Sequence, residues 1–184
     1  MMFPPRALYR PLRLGAAVLL CAAAAIATAA GAAPEPLDAG SLPALPAAHR
    51  VLLQVGAPGQ ERAFTLAQIE AIGLHRVTTS TYWPADDGTY EGPLLRDLLA
   101  AAGLASAAQV RVTALDGFTQ AIPREDWTRW PVMVATRKNG AALGVRDKGP
   151  LRIVYPRDMD PALRDAQYRL RWVWMIKGIA PATP

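Results

Sequence analysis

Cysteine and histidine are nearly absent from this chain, and their scarcity excludes several kinds of site. The 184 residues include one cysteine, Cys21, and two histidines, His49 and His75. The two histidines are far apart in the sequence, and neither stands at the spacing of a metal-binding motif. We therefore predict no metal site built from histidine or cysteine.

Other signatures of chemistry are missing as well. The sequence has no Gly-x-Ser-x-Gly motif, no serine next to a histidine and no glycine-rich phosphate loop. Charges of both signs are interspersed, without a basic run or an alternation of basic and aromatic residues, so nucleic acid is not an expected partner. No residue is predicted to be catalytic.

The N-terminal residues have the pattern of a secretory signal, predicted to span residues 1–32. Arg6, Arg10 and Arg13 precede an uncharged stretch over residues 14–34 that ends in small residues. A retained membrane anchor is the alternative, because the stretch approaches the roughly 20 residues that span a bilayer. Alanine is only weakly apolar, which favours cleavage, after Ala29 or Ala32. Leu20 fits poorly before a lipidated cysteine, so we expect Cys21 to leave with the signal.

Cleavage would leave an exported, cysteine-free protein, for which we expect a periplasmic location. Loss of three arginines and no acid lowers the formal net charge from +5 to +2. About 150 residues remain, enough for one domain with a proper core. Residues 33–50 are rich in proline, alanine and glycine and are predicted to be a flexible lead-in to a domain over 51–180.

The hydrophobic patterns predict an α+β fold with mixed or barrel-like sheets and a few short helices. Asp116-Gly117 and Lys138-Asn139-Gly140 are predicted hairpin turns. Residues 82–92 are predicted to be a loop. Helices are predicted over 64–73 and 94–102, and strands over 51–55, 75–81, 110–115, 118–122, 132–137, 141–145, 151–155 and 168–179.

The loop over 82–92 contains a candidate pocket for a planar ligand. Trp83 could stack on a flat heterocycle, and Asp86, Asp87, Glu91 or Asp116 could accept its paired N–H groups. Trp83 could equally be a core anchor, and the other four tryptophans are predicted to be structural. The loop's acidic residues could also hold a cation, but their spacing fits a solvated acidic loop better.

Three motifs occur in order along the domain. Residues 91–99 read EGPLLRDLL, residues 114–118 read ALDGF and residues 147–156 read DKGPLRIVYP. Together they resemble the oxidoreductase molybdopterin-binding domain of the sulfite-oxidase-like fold, from about Val51 to Ile179. The resemblance implies that fold, and a cysteine thiolate on the strand before the first motif that holds molybdenum.

Here the corresponding strand has Thr79 or a neighbour in the place of that cysteine. A neutral hydroxyl is a poor substitute for a soft anionic thiolate. The chain is most similar to a small exported branch of the fold that lacks the cysteine. That resemblance implies non-enzymatic binding of a metal-free pterin, and regulation of a membrane-bound signalling partner through its periplasmic domain, such as a cyclic-di-GMP enzyme.

The same resemblance implies which residues bind the ligand. Trp83 would stack on the pterin, and Glu91, Asp116, Arg137 and Lys148 would meet its polar edges. Lys148 could instead serve only the turn before Pro150. Two alternatives to the leading interpretation stay open: a molybdopterin-dependent oxidoreductase with atypical metal ligation, and a structural module whose pocket has closed.

Overall fold

The computed structural model describes Met1, residues 31–45 and residues 49–183. Most of the predicted signal, including Cys21, lies outside the described residues. Within the described part, no helix is both long enough and apolar enough to cross a membrane.

Two five-stranded sheets and a two-stranded sheet form the framework of the described residues. The first sheet has the order β1-β4-β5-β9-β10, the second has the order β3-β2-β12-β6-β7, and β8 pairs with β11. The strands are β1 Glu35–Leu37, β2 Val51–Val55, β3 Arg62–Thr65, β4 Leu74–Thr79, β5 Gly88–Gly92, β6 Gln109–Ala114, β7 Thr119–Pro123, β8 Met133–Ala135, β9 Arg137–Lys138, β10 Ala141–Ala142, β11 Arg152–Val154 and β12 Ile176–Ala182.

The helices are short, and local sequence explains where they begin. They are α1 Leu66–Glu70, α2 Leu95–Ala101 and α3 Arg124–Arg129, with 3-10 helices at Ala39–Ser41, Pro84–Asp86, Val145–Asp147, Pro161–Arg164 and Ala166–Arg171. Thr65 and Gln68 form a capping box at the start of α1. Leu95, Leu98 and Leu99 lie on one face of α2 and are fully buried.

The α+β class with mixed sheets and a few short helices is confirmed. β12 is parallel to β2, whereas the other paired strands are antiparallel, and neither five-stranded sheet closes into a barrel. The hairpin at Asp116-Gly117 is confirmed by the pairing of β6 with β7, and Gly117 has a φ of 89°. β9 and β10 also pair across the predicted turn at Asn139-Gly140.

The prediction of a loop over residues 82–92 is wrong for its second half. Gly88–Gly92 is β5, a central strand of the first sheet. A side chain on Gly92 would place its Cβ 2.2 Å from the carbonyl oxygen of Val134. Gly92, the last residue of β5, therefore permits close packing of two backbones.

The predicted strand over residues 168–179 is confirmed only for its last four residues. Its first part is the 3-10 helix Ala166–Arg171, and β12 begins only at Ile176. Asp165 caps the 3-10 helix by accepting a hydrogen bond from the backbone N–H of Gln167. Buried Tyr168 and Trp172 are four residues apart, a spacing that both a strand face and a helical face allow.

Two further expectations differ from the structure. The predicted strand over 132–137 is divided: β8 pairs with β11, and only Arg137, at the start of β9, pairs with residues 141–145, at Ala142. Within the expected flexible lead-in over 33–50, β1 pairs with the edge of β4. Arg137 Nη1 also donates a 2.6 Å hydrogen bond to the carbonyl oxygen of Pro43. This part of the lead-in is therefore attached to the domain.

Asp126 is predicted to contribute strongly to stability. It is 2 % exposed, and it accepts hydrogen bonds from the Tyr155 hydroxyl at 2.6 Å and from Arg171 Nη1 at 2.7 Å. Asp126→Ala leaves both donors without their acceptor, and we expect urea unfolding to show a loss of about 3 kcal/mol. Glu125→Ala, an exposed neighbour on α3, is the control and should cost less than about 0.5 kcal/mol. Equal losses in the two variants would contradict the prediction.

Candidate functional site

A cavity of about 520 Å³ opens beside Trp83. Its walls come from the turn after β4, the β6–β7 hairpin and the segment before β12. The lining residues are Trp83, Ala114, Asp116, Phe118, Arg169, Leu170, Trp172, Val173, Trp174 and Met175. The volume lies in the range of about 300–1,000 Å³ that is usual for small-molecule sites.

A tight polar turn fixes the backbone of Trp83. The Thr81 hydroxyl donates to the Trp83 carbonyl oxygen at 2.7 Å and accepts from the Trp83 N–H at 3.0 Å. Asp87 accepts a 2.6 Å hydrogen bond from the Thr81 N–H. Pro84 then begins the 3-10 helix Pro84–Asp86, where its fixed φ suits the first position.

The indole of Trp83 is half-buried at the edge of the open cavity, beside other aromatic rings. Its centroid is 4.6 Å from that of Trp174, with an angle of 67° between the ring planes. Lys148 Nζ lies 5.3 Å from the Trp83 ring and 4.2 Å from the Trp174 ring, and Arg169 Cζ lies 5.5 Å from the Trp83 ring. Such a cluster suits a flat, polar heterocycle.

An ion cluster lies next to these indoles. The Lys148 ammonium pairs with the Asp86 carboxylate, and fully buried Arg152 lies 3.7 Å from the same carboxylate. Arg152 Nη1 also donates to the Tyr90 hydroxyl at 3.3 Å. Burial raises the pKa of Tyr90 to about 12, so this hydroxyl stays neutral at physiological pH.

The structure places three of the five predicted binding residues at the cavity. Trp83 and Asp116 line it, and Lys148 contacts two of its indoles. Asp116 is exposed and also accepts a 2.9 Å hydrogen bond from the Phe118 N–H within the hairpin turn. Lys148 has a φ of 66° at the end of a 3-10 helix, so it serves the turn as well as the indoles.

Glu91 and Arg137 are not at the cavity. They pair across β5 and β9 and are almost completely buried. Arg137 makes a two-point ion pair with Glu70, at 2.9 and 2.7 Å, and the hydrogen bond to Glu70 is the main cause of its raised pKa. Glu91 Oε1 lies 3.5 Å from Arg76 Nε. Their surroundings are those of structural ion pairs.

Burial of Glu91 also corrects the interpretation of residues 82–92 as a solvated acidic loop. Its side chain is 1 % exposed, and its Oε2 accepts a hydrogen bond from the Gly140 N–H at 3.2 Å. Across residues 31–45 and 49–183, no group of three histidine, cysteine, aspartate or glutamate side chains is placed to hold a metal ion.

Several cavity residues were missed by the sequence reasoning. Trp172 and Trp174 were predicted to be structural, yet both line the cavity. Phe118, which lines the cavity, and Arg152, which lies in the adjacent ion cluster, could have been identified because they belong to the ALDGF and DKGPLRIVYP motifs. Arg169 could not be identified from the sequence, because an exposed arginine on a 3-10 helix belongs to no motif and no distinguishing pattern.

The chain matches the family model described as the oxidoreductase molybdopterin binding domain over residues 40–160. It belongs to this family. The crystal structure of the sulfane dehydrogenase SoxCD from Paracoccus pantotrophus is similar, with a TM-score of 0.52 and 20 % identity. The match covers 70 % of this chain but 37 % of that one, and it supports the sulfite-oxidase-like fold. No curated protein matches significantly.

The residues at the site fit the organic part of a molybdopterin better than its metal. Trp172 and Trp174 line the cavity with their aromatic side chains, which suit a flat heterocycle, and their indole N–H groups have no hydrogen-bond partner among the described residues. Thr79, in the predicted place of the cysteine, is 3 % exposed, and its hydroxyl donates to the Ser80 carbonyl oxygen at 3.2 Å. The described residues include no thiolate that could hold molybdenum.

Arg137 is predicted to act in stability and not in ligand contact. Arg137→Met would leave the Glu70 carboxylate, whose side chain is 14 % exposed, without its cation. We expect urea unfolding to show a loss of about 3 kcal/mol. Arg96→Met, at an exposed position on α2, is the matched control and should lie within about 0.5 kcal/mol of the unchanged protein. If the Arg137 variant is as stable as this control, the interpretation of Arg137 as a residue that stabilises the fold is wrong.

Proposed function

We propose that this protein is a periplasmic, non-enzymatic pterin-binding protein that regulates a membrane-bound signalling partner. The observation that carries the proposal is the cavity beside Trp83, which is lined by Trp172, Trp174 and Phe118. Pterins are flat and carry hydrogen-bonding groups around their edge, and aromatic walls with Asp116 and Arg169 in the lining suit both properties.

The contacts around Trp83 support a pocket that is formed before the ligand arrives. Thr81 and Asp87 hold the backbone of the turn, and Lys148 lies against both Trp83 and Trp174. A preformed pocket avoids the cost of ordering loops during binding. The replacement of the family's thiolate by a hydroxyl supports a metal-free ligand.

The rim of the cavity supports a role in signalling. Leu115, Phe118 and Leu170 are 47 %, 42 % and 61 % exposed, and the last two also line the cavity. A partner that covers this rim would contact residues that also line the ligand cavity. Ligand binding regulates such a partner only if it favours one surface conformation over another. The proposed partner is a signalling protein with a periplasmic domain, such as a cyclic-di-GMP enzyme.

Pterin binding is tested on protein purified from the periplasm, with mass spectrometry of any bound small molecule and fluorescence titration of added reduced pterins. We expect a bound pterin, and about 10- to 100-fold weaker binding in Trp83→Ala, because stacking of a base on an aromatic side chain contributes about 1–3 kcal/mol. Absence of both bound and added pterin would refute the proposal.

Trp130→Ala is the matched control for this experiment. Trp130 is 4 % exposed and donates its indole N–H to Asp160 at 2.8 Å, and it does not line the cavity. This variant should lose about 3 kcal/mol or more of stability but keep its pterin affinity when folded. Trp83→Ala should show the reverse, a weaker ligand affinity with the smaller loss of stability. A larger stability loss in Trp83→Ala would indicate a core role instead.

Two measurements separate the remaining parts of the proposal. Elemental analysis of the purified protein should find no stoichiometric molybdenum, and one atom per chain would favour an oxidoreductase with atypical ligation.

Cellular cyclic-di-GMP should change in the same direction in a gene deletion and in a strain carrying Trp83→Ala. An unchanged level in both strains would contradict the regulation of such an enzyme while leaving pterin binding intact.

A further inference from the structure

A second cavity, of about 320 Å³, lies at one end of the second sheet. β2 and β12 are parallel and β6 is antiparallel to β12, so the first residues of β2 and β12 lie at the same end as the last residue of β6. Arg50 and Val51 line the cavity at the start of β2, Lys177 at the start of β12, and Leu115 directly after β6. The topology of the sheet therefore brings these four residues together.

The charged residues that line this second cavity are both cations. Arg50 and Lys177 are exposed, and the lining contains no carboxylate. Among the described residues, no carboxylate oxygen lies within 4 Å of either cation. The positive charge at the second cavity is therefore not neutralised within the domain, and it complements a negatively charged group.

Large apolar side chains are exposed at the same place. Val51 and Leu115 are each 47 % exposed, and both line the second cavity. Phe118 and Leu170, which are also exposed, line the cavity beside Trp83. Exposed apolar residues that adjoin a concave surface and have a polar rim are typical of protein interfaces.

The two cavities share a wall. The Leu115 N–H donates a 2.8 Å hydrogen bond to the carbonyl oxygen of Met175. Met175 lines the cavity beside Trp83, whereas the next residue, Ile176, lines the second cavity. Leu115 likewise lies between two residues that line the cavity beside Trp83. A ligand that shifts these two backbone segments therefore moves side chains of both cavities, as regulation of a partner requires.

We propose that the second cavity is the docking site for an acidic segment of the membrane-bound signalling partner. An apolar side chain of that segment would pack against Val51 and Leu115, and its carboxylates would lie beside Arg50 and Lys177. Complementary charges steer the encounter of two proteins and fix how they are aligned. This inference rests on the proposed function and specifies the surface chemistry of the partner.

An anionic membrane surface is the other partner that two cations suggest, but it fits the second cavity less well. Recognition of anionic lipid headgroups ordinarily uses clusters of about four to eight lysine and arginine residues, and only Arg50 and Lys177 line this cavity. The cavity is also concave, whereas a membrane surface is flat on this scale. A protein side chain can fill the concavity and bury the apolar residues.

The test is photo-crosslinking in living cells, with Leu115 replaced by p-benzoylphenylalanine. We expect a product with a membrane protein, and mass spectrometry should show that the crosslinked peptide has a net negative charge. The combined variant Arg50→Glu and Lys177→Glu should lower the yield about tenfold or more, because like charges repel. The matched control, Arg96→Glu with Arg124→Glu, reverses two exposed charges on α2 and α3 and should keep the yield.

The outcomes separate this inference from the proposed function. No product, a product with lipid, with a second copy of the chain or with a neutral or basic peptide, or a yield that survives the charge reversal would overturn the inference. If circular dichroism shows that the Leu115 replacement does not fold, Val51 takes its place, with the same criteria.

Pterin titration provides the independent measurement. Arg50 and Lys177 do not line the cavity beside Trp83, so the charge-reversed protein should bind pterin as tightly as the unchanged protein. Pterin binding without an acidic, charge-dependent crosslink would overturn this inference alone. Absence of pterin binding by the unchanged protein would overturn the proposed function, and the crosslink would still decide whether the second cavity is a docking site.

Discussion

The ion pair between Lys148 and Asp86 holds the candidate site together. It joins the turn before β5 to the turn before β11, and it places the ammonium group over the rings of both Trp83 and Trp174. Arg152, immediately after the second turn, shares the same carboxylate. The aromatic walls and the charge beside them therefore depend on one small polar cluster, in which each group restricts the others.

Local chemistry made much of the fold predictable. The turn at Asp116-Gly117 and the helix predicted over 64–73 depend on residues that are close in the sequence; the structure confirms the turn and places α1 within the predicted range. The errors came where distant parts of the chain decide the conformation. Gly92 pairs with His75 on β4 and also packs closely against the backbone at Val134, and both contacts are distant in the sequence. Tyr168 and Trp172 fit a period of two as well as a helical face, and only their packing distinguishes the two.

The candidate site was predictable to a similar extent. Trp83 and Lys148 stood out through the loop and the motif that contain them, and the structure places both at the cavity. Glu91 belongs to the same loop and to the first motif, and Arg137 was implied by the family resemblance, but the two side chains pair with Arg76 and Glu70 inside the domain. A sequence motif marks residues that a fold needs, and it does not separate those that face a ligand from those that support the sheet.

The strand β1 has a consequence for where the domain begins. It lies on the outer edge of β4 and occupies backbone groups that would otherwise be open to a strand from another molecule. A shortened chain that starts at Val51 would keep the cavity residues but leave the backbone N–H and C=O groups on the outer edge of β4 without a paired strand. It would also release Arg137 from the Pro43 carbonyl oxygen. The segment ahead of the predicted domain thus replaces the six-residue edge of β4 by a three-residue edge strand that contains Pro36, and short, proline-containing edges are less open to pairing with another chain.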